Sequence, residues 1–82
     1  MVHGSVQGVF FRDSLRRLAE QHGVSGWARN TSEGTVEAVF EGEAEAVERL
    51  VSFAQQGPSD ARVEAIDVYE EEPEGFSGFA IR

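Results

Sequence analysis

Two glycines and an arginine lie close together near the start of the chain, in the run Gly4-Ser5-Val6-Gln7-Gly8-Val9-Phe10-Phe11-Arg12. The pattern predicts a short strand, a glycine-containing loop and the first turn of a helix, in that order. Such a loop can turn its backbone N–H groups inward, and a helix N-terminus adds partial positive charge. Arg12 adds a full charge and a planar set of donors that matches phosphate oxygens. The run therefore predicts an anion-binding site.

Asn30 is the second residue whose type and position could serve chemistry. It ends an expected strand and directly precedes the expected turn at residues 31–34. An asparagine in this place is most often a turn former, because its side chain bonds to nearby backbone groups. Its amide could instead orient a water molecule, since it is both donor and acceptor and carries no charge. Spacing alone leaves both interpretations open.

The composition excludes several other kinds of site. The chain has no cysteine and no lysine, so thiol nucleophiles, cysteine–zinc sites and a lysine-containing nucleotide loop are absent. No carboxylate is spaced to share a metal ion with His3 or His22, and we therefore expect no metal and no cofactor. No serine lies in a nucleophile-elbow pattern, and the middle strands lack the aromatic pairs that stack RNA bases. Anion binding by Arg12 and the loop is the chemistry that remains.

Charge is distributed unevenly along this chain of 82 residues, whose formal net charge is −8. Residues 1–30 contain four arginines against two acids, whereas residues 31–82 contain three arginines against thirteen acids. An acidic chain binds nucleic acid and anionic membranes poorly, so neither is expected as a partner, and an anion site must lie in the first thirty residues. The chain has no apolar run of membrane-spanning length and no leader pattern after Met1, which predicts a cytoplasmic protein.

Hydrophobic periodicity predicts the elements that must position these residues. We expect strands over residues 1–6, 24–30, 35–41 and 62–69, a short last strand around Phe79 and Ile81, and helices over residues 11–22 and 43–55. This βαββαβ order with a terminal strand predicts one domain, residues 1–82, with an α+β, ferredoxin-like fold. In that fold, two helices cover one face of an antiparallel sheet.

Side-chain spacing also predicts which residues form the core. The inner stripe of the first helix is expected to contain Phe11, Leu15, Leu18, Ala19 and His22, and that of the second helix Val47, Leu50, Val51 and Ala54. Ile66 and Val68 are the expected core residues of the fourth strand. Asp13 can pair with Arg17 one helical turn later, and Gly23 can end the first helix in a left-handed conformation.

Several of these motifs together closely resemble the acylphosphatase family. They are Gly4-x-Val6-Gln7-Gly8-Val9-x-Phe11-Arg12, Gly26-Trp27-Ala28-x-Asn30 and Gly34-Thr35-Val36-Glu37, with Gly57-Pro58, Val63 and Phe79-x-Ile81-Arg82 in register. The resemblance covers essentially the whole chain. It implies a ferredoxin-like fold and the metal-free, cofactor-free hydrolysis of a small acyl phosphate, such as acetyl or carbamoyl phosphate, to a carboxylate and phosphate.

The resemblance also implies a role for each candidate residue. Arg12 matches the family's phosphate-binding arginine, and Asn30 matches its water-positioning asparagine. The phosphate cradle matches the backbone of Gly4, Ser5, Val6, Gln7, Gly8, Val9 and Phe10, in which Gly8 is the position least tolerant of a side chain. Related chains often carry a basic or larger residue at the position of Ser5, and they usually have more residues before Gly4. A short first strand inside the sheet is therefore expected.

Two other functions fit parts of the pattern. A non-catalytic ferredoxin-like module could bind a small anion or a partner protein, but it would not need a water-positioning amide at Asn30. The chain could also be one domain of a larger carbamoyl-transfer maturation factor. Its end at Arg82 favours a stand-alone protein instead, which we expect to be a monomer.

Overall fold

The computed structural model describes residues 1–7, 10–59, 61–70 and 72–82. The elements are β1 (Val2–Ser5), α1 (Phe11–His22), β2 (Ser25–Asn30), β3 (Val36–Glu41), α2 (Ala44–Gln56), β4 (Arg62–Ile66) and β5 (Phe79–Ile81). Two helices packed on a five-stranded sheet give the α+β, ferredoxin-like fold that the sequence predicts. Within the described ranges, no helix is long and apolar enough to cross a membrane.

The sheet has the strand order β4-β1-β3-β2-β5. The first four strands are antiparallel neighbours, but β5 pairs with β2 in parallel, so the prediction of an antiparallel sheet is wrong for β5. The reason is topological. β4 ends at the edge of the sheet where β1 and β2 begin, and β5 starts at that same edge, with Phe79 beside Gly26 of β2. A strand that enters the sheet from this edge must run in the same direction as β2.

The directions of three strands determine which strand ends meet at one edge of the sheet. Since β1, β2 and β5 all run the same way, their C-terminal ends lie at one edge, which we call the site edge. The chain leaves β1 there and enters α1 at Phe11, while Asn30 ends β2 and Ile81 ends β5. Residues far apart in sequence are therefore brought together at the site edge.

The core lies between the helices and the sheet, and it is formed mostly by the expected residues. Phe11, Leu15 and Ala19 of α1 are buried, as are Val2, Val6, Val24, Ala28, Val36, Leu50, Ala54 and Phe79. In α2, however, Ala46 and Phe53 pack against this core in place of the predicted Val47 and Val51. Residues 46, 50, 53 and 54 follow the spacing i, i+4, i+7, i+8, which makes one continuous helical stripe. Val47 and Val51 lie beside it and are half-buried.

The strand β4 ends at Ile66, before the expected residue 69, and Val68 is 56% exposed instead of buried. The cause is the length of its partner, because the register of β4 with β1 runs only as far as the pair Val2–Ile66. Asp67 still exchanges backbone hydrogen bonds with Met1, and after Asp67 the chain pairs with no strand among the described residues. The expectation of a short β1 inside the sheet is confirmed, since this strand has four residues and lies between β4 and β3. The other boundaries match the prediction to within one residue.

Glu41, at the end of β3, anchors the segment that leads into β5. Its carboxylate accepts hydrogen bonds from the backbone N–H groups of Glu74 and Gly75 at 2.8 Å and of Phe76 at 3.2 Å. These bonds, chiefly that from Glu74, hold the pKa of Glu41 below its usual value of 4.5 although desolvation opposes them. The anchored segment continues to Gly78, whose carbonyl oxygen accepts a bond from β2. Glu41 thereby helps to position β5.

Replacement of Glu41 by glutamine is expected to lower the free energy of unfolding at neutral pH, because the neutral amide is a weaker acceptor for three N–H groups. A carboxylate whose pKa is lowered on folding stabilises the protein above its unfolded-state pKa, and this contribution is lost as the pH falls through the folded-state pKa. The difference in unfolding free energy between wild type and Glu41→Gln should therefore be largest at about pH 7 and should decrease below about pH 4.5.

Denaturant unfolding across this pH range measures that difference. Glu64→Gln is the matched control, since Glu64 is an exposed glutamate of β4. A Glu41→Gln variant as stable as wild type at neutral pH would contradict the anchoring role.

Candidate active site

A pocket of about 230 Å³ opens at the site edge. It is lined by Val6, Phe10, Phe11, Arg12, Asp13, Asn30 and Ile81. The structure thus brings together Arg12 and Asn30, the two residues that the sequence singled out, and adds two residues of the predicted loop. Phe11, Asp13 and Ile81 also line this pocket, and the sequence analysis did not assign them to the site.

The N-terminus of α1 contributes backbone donors to the pocket. The first N–H groups of a helix have no partners within the helix, and here the N-cap residue, Phe10, makes no side-chain capping bond. The pocket is lined by residues of this first turn, namely Phe11, Arg12 and Asp13. A helix N-terminus also carries partial positive charge. An anion is the ligand that suits these groups.

Phe10 has an unusual backbone conformation. With φ 59° and ψ 27°, it is the one non-glycine residue at positive φ within the described part of the chain. This left-handed conformation costs an ordinary residue about 1–2 kcal/mol. The side chain is nevertheless 79% exposed, so burial in the core does not offset that cost. Strained residues of this kind cluster at functional sites.

Arg12 is half-buried, and its Nη1 atom donates a hydrogen bond to the backbone oxygen of Arg82 at 3.0 Å. This contact orients the guanidinium group and uses one of its N–H groups. A guanidinium has several more, arranged as a planar fork that fits two phosphate oxygens at once. Arg12 therefore has donors to spare for a ligand in the pocket.

The other arginines near the start of the chain are paired with carboxylates. Arg16 and Arg17 hold the two oxygens of Asp13 at 2.6 and 3.0 Å, which confirms the predicted pair of Asp13 and Arg17. Arg29 pairs with Glu37 on the neighbouring strand at 2.6 Å. In residues 1–7 and 10–30, Arg12 is thus the arginine that forms no ion pair with an aspartate or glutamate side chain among the described residues. Ion pairing distinguishes it from the others, which sequence spacing could not do.

Asn30 also lines the pocket, at the end of β2. Its Oδ1 atom is buried, and no hydrogen-bond donor is found for it among the residues that the structure describes. The turn after β2 is held instead by Thr31, whose Oγ1 accepts bonds from the backbone N–H groups of Glu33 and Thr35 at 3.3 Å. The interpretation of Asn30 as the turn former is therefore wrong. The threonine that follows it could have been recognised, because Thr hydroxyls form such turns.

The start of the predicted loop belongs to β1. Gly4 and Ser5 are strand residues, so the connection to α1 begins at Val6. Gly4 has φ 128° and lies where the register with β4 shifts, and a Cβ atom there would overlap the carbonyl oxygen of Arg62. Close approach of two strands therefore requires this glycine, a reason that the sequence analysis did not identify. Gly8 and Val9 lie outside the described residues, and their predicted roles stay predictions.

The side chain of Gln7 links the segment after β1 to the turn that follows Asn30. Its Nε2 atom donates to the backbone oxygens of Thr31 at 2.8 Å and Thr35 at 3.0 Å. The sequence analysis assigned only the backbone of Gln7 to the predicted loop. In the structure, its side chain also connects the segment after β1 to the turn after β2.

A pocket of this kind, at a helix N-terminus without a side-chain cap, has the geometry of an anion-binding site in a small ferredoxin-like domain. Comparison with known proteins identifies the family. The chain matches the Acylphosphatase family over residues 1–81. It is 60% identical to the acylphosphatase of Rubrobacter xylanophilus over 99% of this chain and 74% of that protein, and 57% identical to that of Roseiflexus sp. over 98% and 87%. The fold matches an acylphosphatase of Coxiella burnetii with a TM-score of 0.94 and 41% identity, over 99% of this chain and 85% of that one.

The chain belongs to the acylphosphatase family. It is an enzyme that hydrolyses the carboxyl–phosphate bond of small acyl phosphates to a carboxylate and phosphate. The alternative of a non-catalytic binding module is not supported, because the similarity to enzymes extends over nearly the whole chain.

Proposed function

We propose that the pocket at the site edge is the active site of this hydrolase and that residues 1–82 act as one catalytic domain. In this proposal, Arg12, the first turn of α1 and the backbone after β1 bind the phosphoryl group, and Asn30 positions the attacking water. One observation carries it. An arginine without an aspartate or glutamate partner and a buried amide oxygen without a donor, each among the described residues, line the same pocket at a helix N-terminus that has no side-chain cap.

The reaction requires charge stabilisation more than proton transfer. The water oxygen forms a bond to phosphorus while the bond from phosphorus to the acyl oxygen breaks, and the electron pair of that bond leaves with the carboxylate. A carboxylate is a weak base, so it departs without receiving a proton from the protein. Negative charge lies on the phosphoryl oxygens throughout. Arg12 and the N–H groups of the first turn of α1 are donors that can stabilise it.

Asn30 acts on the water in this proposal. Its Oδ1 atom accepts one hydrogen bond from the water and holds the oxygen in line with the bond that breaks. Asp13 also lines the pocket, but Arg16 and Arg17 hold its two oxygens, and we assign it no proton transfer. The proton of the attacking water passes to an oxygen of the substrate's own phosphate.

Metal independence is part of the proposal. Within the described ranges, no group of three or more His, Cys, Asp or Glu side chains is placed to hold a metal ion. The positive charge that a metal ion would supply to a phosphoryl group is supplied by Arg12 and the N-terminus of α1.

Hydrolysis of benzoyl phosphate tests the function. We expect the purified protein to release benzoate and phosphate, with a rate that changes by less than about twofold when excess EDTA is present, because no step requires a metal ion. A discontinuous phosphate assay with a protein-free blank corrects for spontaneous hydrolysis. Loss of activity in EDTA with recovery on adding Mg²⁺ would contradict the metal-free mechanism.

We further propose that the enzyme is a cytoplasmic monomer. Elution from a gel-filtration column at about the size of one 9.0 kDa chain is the expected result.

A further inference from the structure

One side chain crosses from the segment after β1 to the turn that follows Asn30. The Nε2 atom of Gln7 donates hydrogen bonds to the backbone oxygens of Thr31 at 2.8 Å and of Thr35 at 3.0 Å, and both bonds are partly buried. These oxygens lie at the two ends of the turn, where the N–H group of Thr31 also donates to the oxygen of Thr35 at 2.9 Å. A primary amide has two N–H groups, so one glutamine can bond to both ends of the turn.

The turn has hydrogen bonds of its own that determine its shape. Backbone pairing closes it, and the Oγ1 atom of Thr31 accepts bonds from the N–H groups of Glu33 and Thr35 within it. The bonds from Gln7 come from outside the turn, so they restrain its position relative to the segment after β1. Because Thr31 directly follows Asn30, a bond to the carbonyl group of Thr31 also restrains the backbone of Asn30.

The pairing of the strands does not make this link. In the strand order β4-β1-β3-β2-β5, β3 separates β1 from β2. Among the described residues, β1 pairs with β3 only at Val2 and Val36, at the start of β1. The ladders of the sheet therefore do not join the end of β1 to Asn30. Within the described part of the chain, the side chain of Gln7 makes the hydrogen bonds that connect the two regions.

The proposed function requires two groups on different elements to keep a fixed separation. In it, Arg12 and the N-terminus of α1 hold the phosphoryl group, whereas Asn30 at the end of β2 holds the attacking water. The water oxygen must lie in line with the bond that breaks, and a displacement of about 1 Å can lower a rate by about 10²-fold.

We propose that Gln7 is a positioning residue that keeps Asn30 at the separation needed for in-line attack and so raises kcat without touching the substrate. The inference rests on the proposed function, since Gln7 acts on the reaction only through Asn30. Loss of the amide of Gln7 leaves Asn30 in the pocket but releases the turn that follows it from the segment after β1. Turnover should then fall while the binding of phosphate persists.

A double-mutant cycle between Gln7 and Asn30 tests the proposal. Gln7→Met keeps the length of the side chain but has no N–H donor, and Gln7→Ala removes the side chain beyond Cβ. We expect each to lower kcat for benzoyl phosphate by about tenfold in the wild-type background. In the Asn30→Ala background each should lower kcat by less than about twofold, because no amide remains to be positioned.

Inhibition by inorganic phosphate is measured with the same variants, and its inhibition constant should change by less than about twofold. The reason is that Val6 and Phe11 are buried in the core and hold the backbone on either side of the segment. Gln21→Ala is the matched control, since it removes an exposed glutamine of α1, and it should leave kcat unchanged.

A purely structural role of Gln7 would lower kcat by the same factor in both backgrounds, and this result would overturn the proposal. Gln7 variants that keep kcat within about twofold of the wild type would overturn it too. If the Asn30→Ala variant alone retains the wild-type kcat, the proposed function is wrong in its assignment of Asn30, and the positioning role fails with it.

Discussion

Replacing Arg12 by alanine is expected to lower kcat/KM for benzoyl phosphate by about 10³-fold, the effect of removing a cationic clamp from a transferring phosphoryl group. The guanidinium binds the phosphoryl oxygens both before and during the reaction. Its loss should therefore weaken the binding of inorganic phosphate as well as turnover. Steady-state kinetics with benzoyl phosphate and competitive inhibition by phosphate measure the two effects separately.

Two further variants separate the role of Arg12 from that of charge alone. Arg17→Ala removes the same charge from the next turn of α1, where the side chain is 77% exposed and paired with Asp13, and it should change kcat/KM little. Arg12→Lys keeps the charge but not the planar fork, and it should recover only part of the activity. Equal phosphate affinity in wild type and Arg12→Ala would contradict the assignment of Arg12 to phosphate binding.

Replacing Asn30 by alanine is expected to lower kcat by about 10²–10³-fold, the range observed when one aligned polar group is removed from an active site. Phosphate affinity should change by less than about twofold, because Asn30 is proposed to contact the water and not the phosphoryl group. This result differs from that expected for Arg12→Ala, which should lower both turnover and the affinity for phosphate.

Stability provides an independent measurement for Asn30. The Oδ1 atom of Asn30 accepts no hydrogen bond from a described residue, so replacing Asn30 by alanine breaks no bond of this kind within the described part of the protein. The Asn30→Ala variant should therefore have the same free energy of unfolding as the wild type, or a slightly higher one, although it loses activity. A clear loss of stability would indicate that Asn30 has a structural role, and retained activity would remove it from the mechanism.

Local features were predictable where neighbouring residues determine them. The helix α1 has the bounds that its periodicity indicates, and it ends at Gly23 in the left-handed conformation expected of a C-terminal glycine. Its pair of Asp13 and Arg17 follows from helical geometry alone, because residues four apart share one face. Each of these features depends on contacts within a few residues, which a sequence displays directly.

Features that depend on distant partners could not be predicted in this way. The end of β4 at Ile66 depends on how far β1 extends beside it, and the parallel direction of β5 depends on the edge from which it enters the sheet. The side chain of Gln7 donates hydrogen bonds to residues that are 24 and 28 positions away in sequence. Ile81 could not be assigned to the site, because its place depends on the pairing of β5 with β2.

The sequence by itself determined which groups are available for chemistry: an arginine at the start of α1, an amide at the end of β2, and neither cysteine nor lysine. Through its resemblance to a family, it also indicated their roles. Only the tertiary structure decided that Arg12, unlike Arg16, Arg17 and Arg29, forms no ion pair with an aspartate or glutamate among the described residues, and that Asn30 does not form the turn. The physical reason is the common direction of β1, β2 and β5. Their ends meet at one edge of the sheet, so the first turn of α1 lines one pocket together with Asn30 and Ile81.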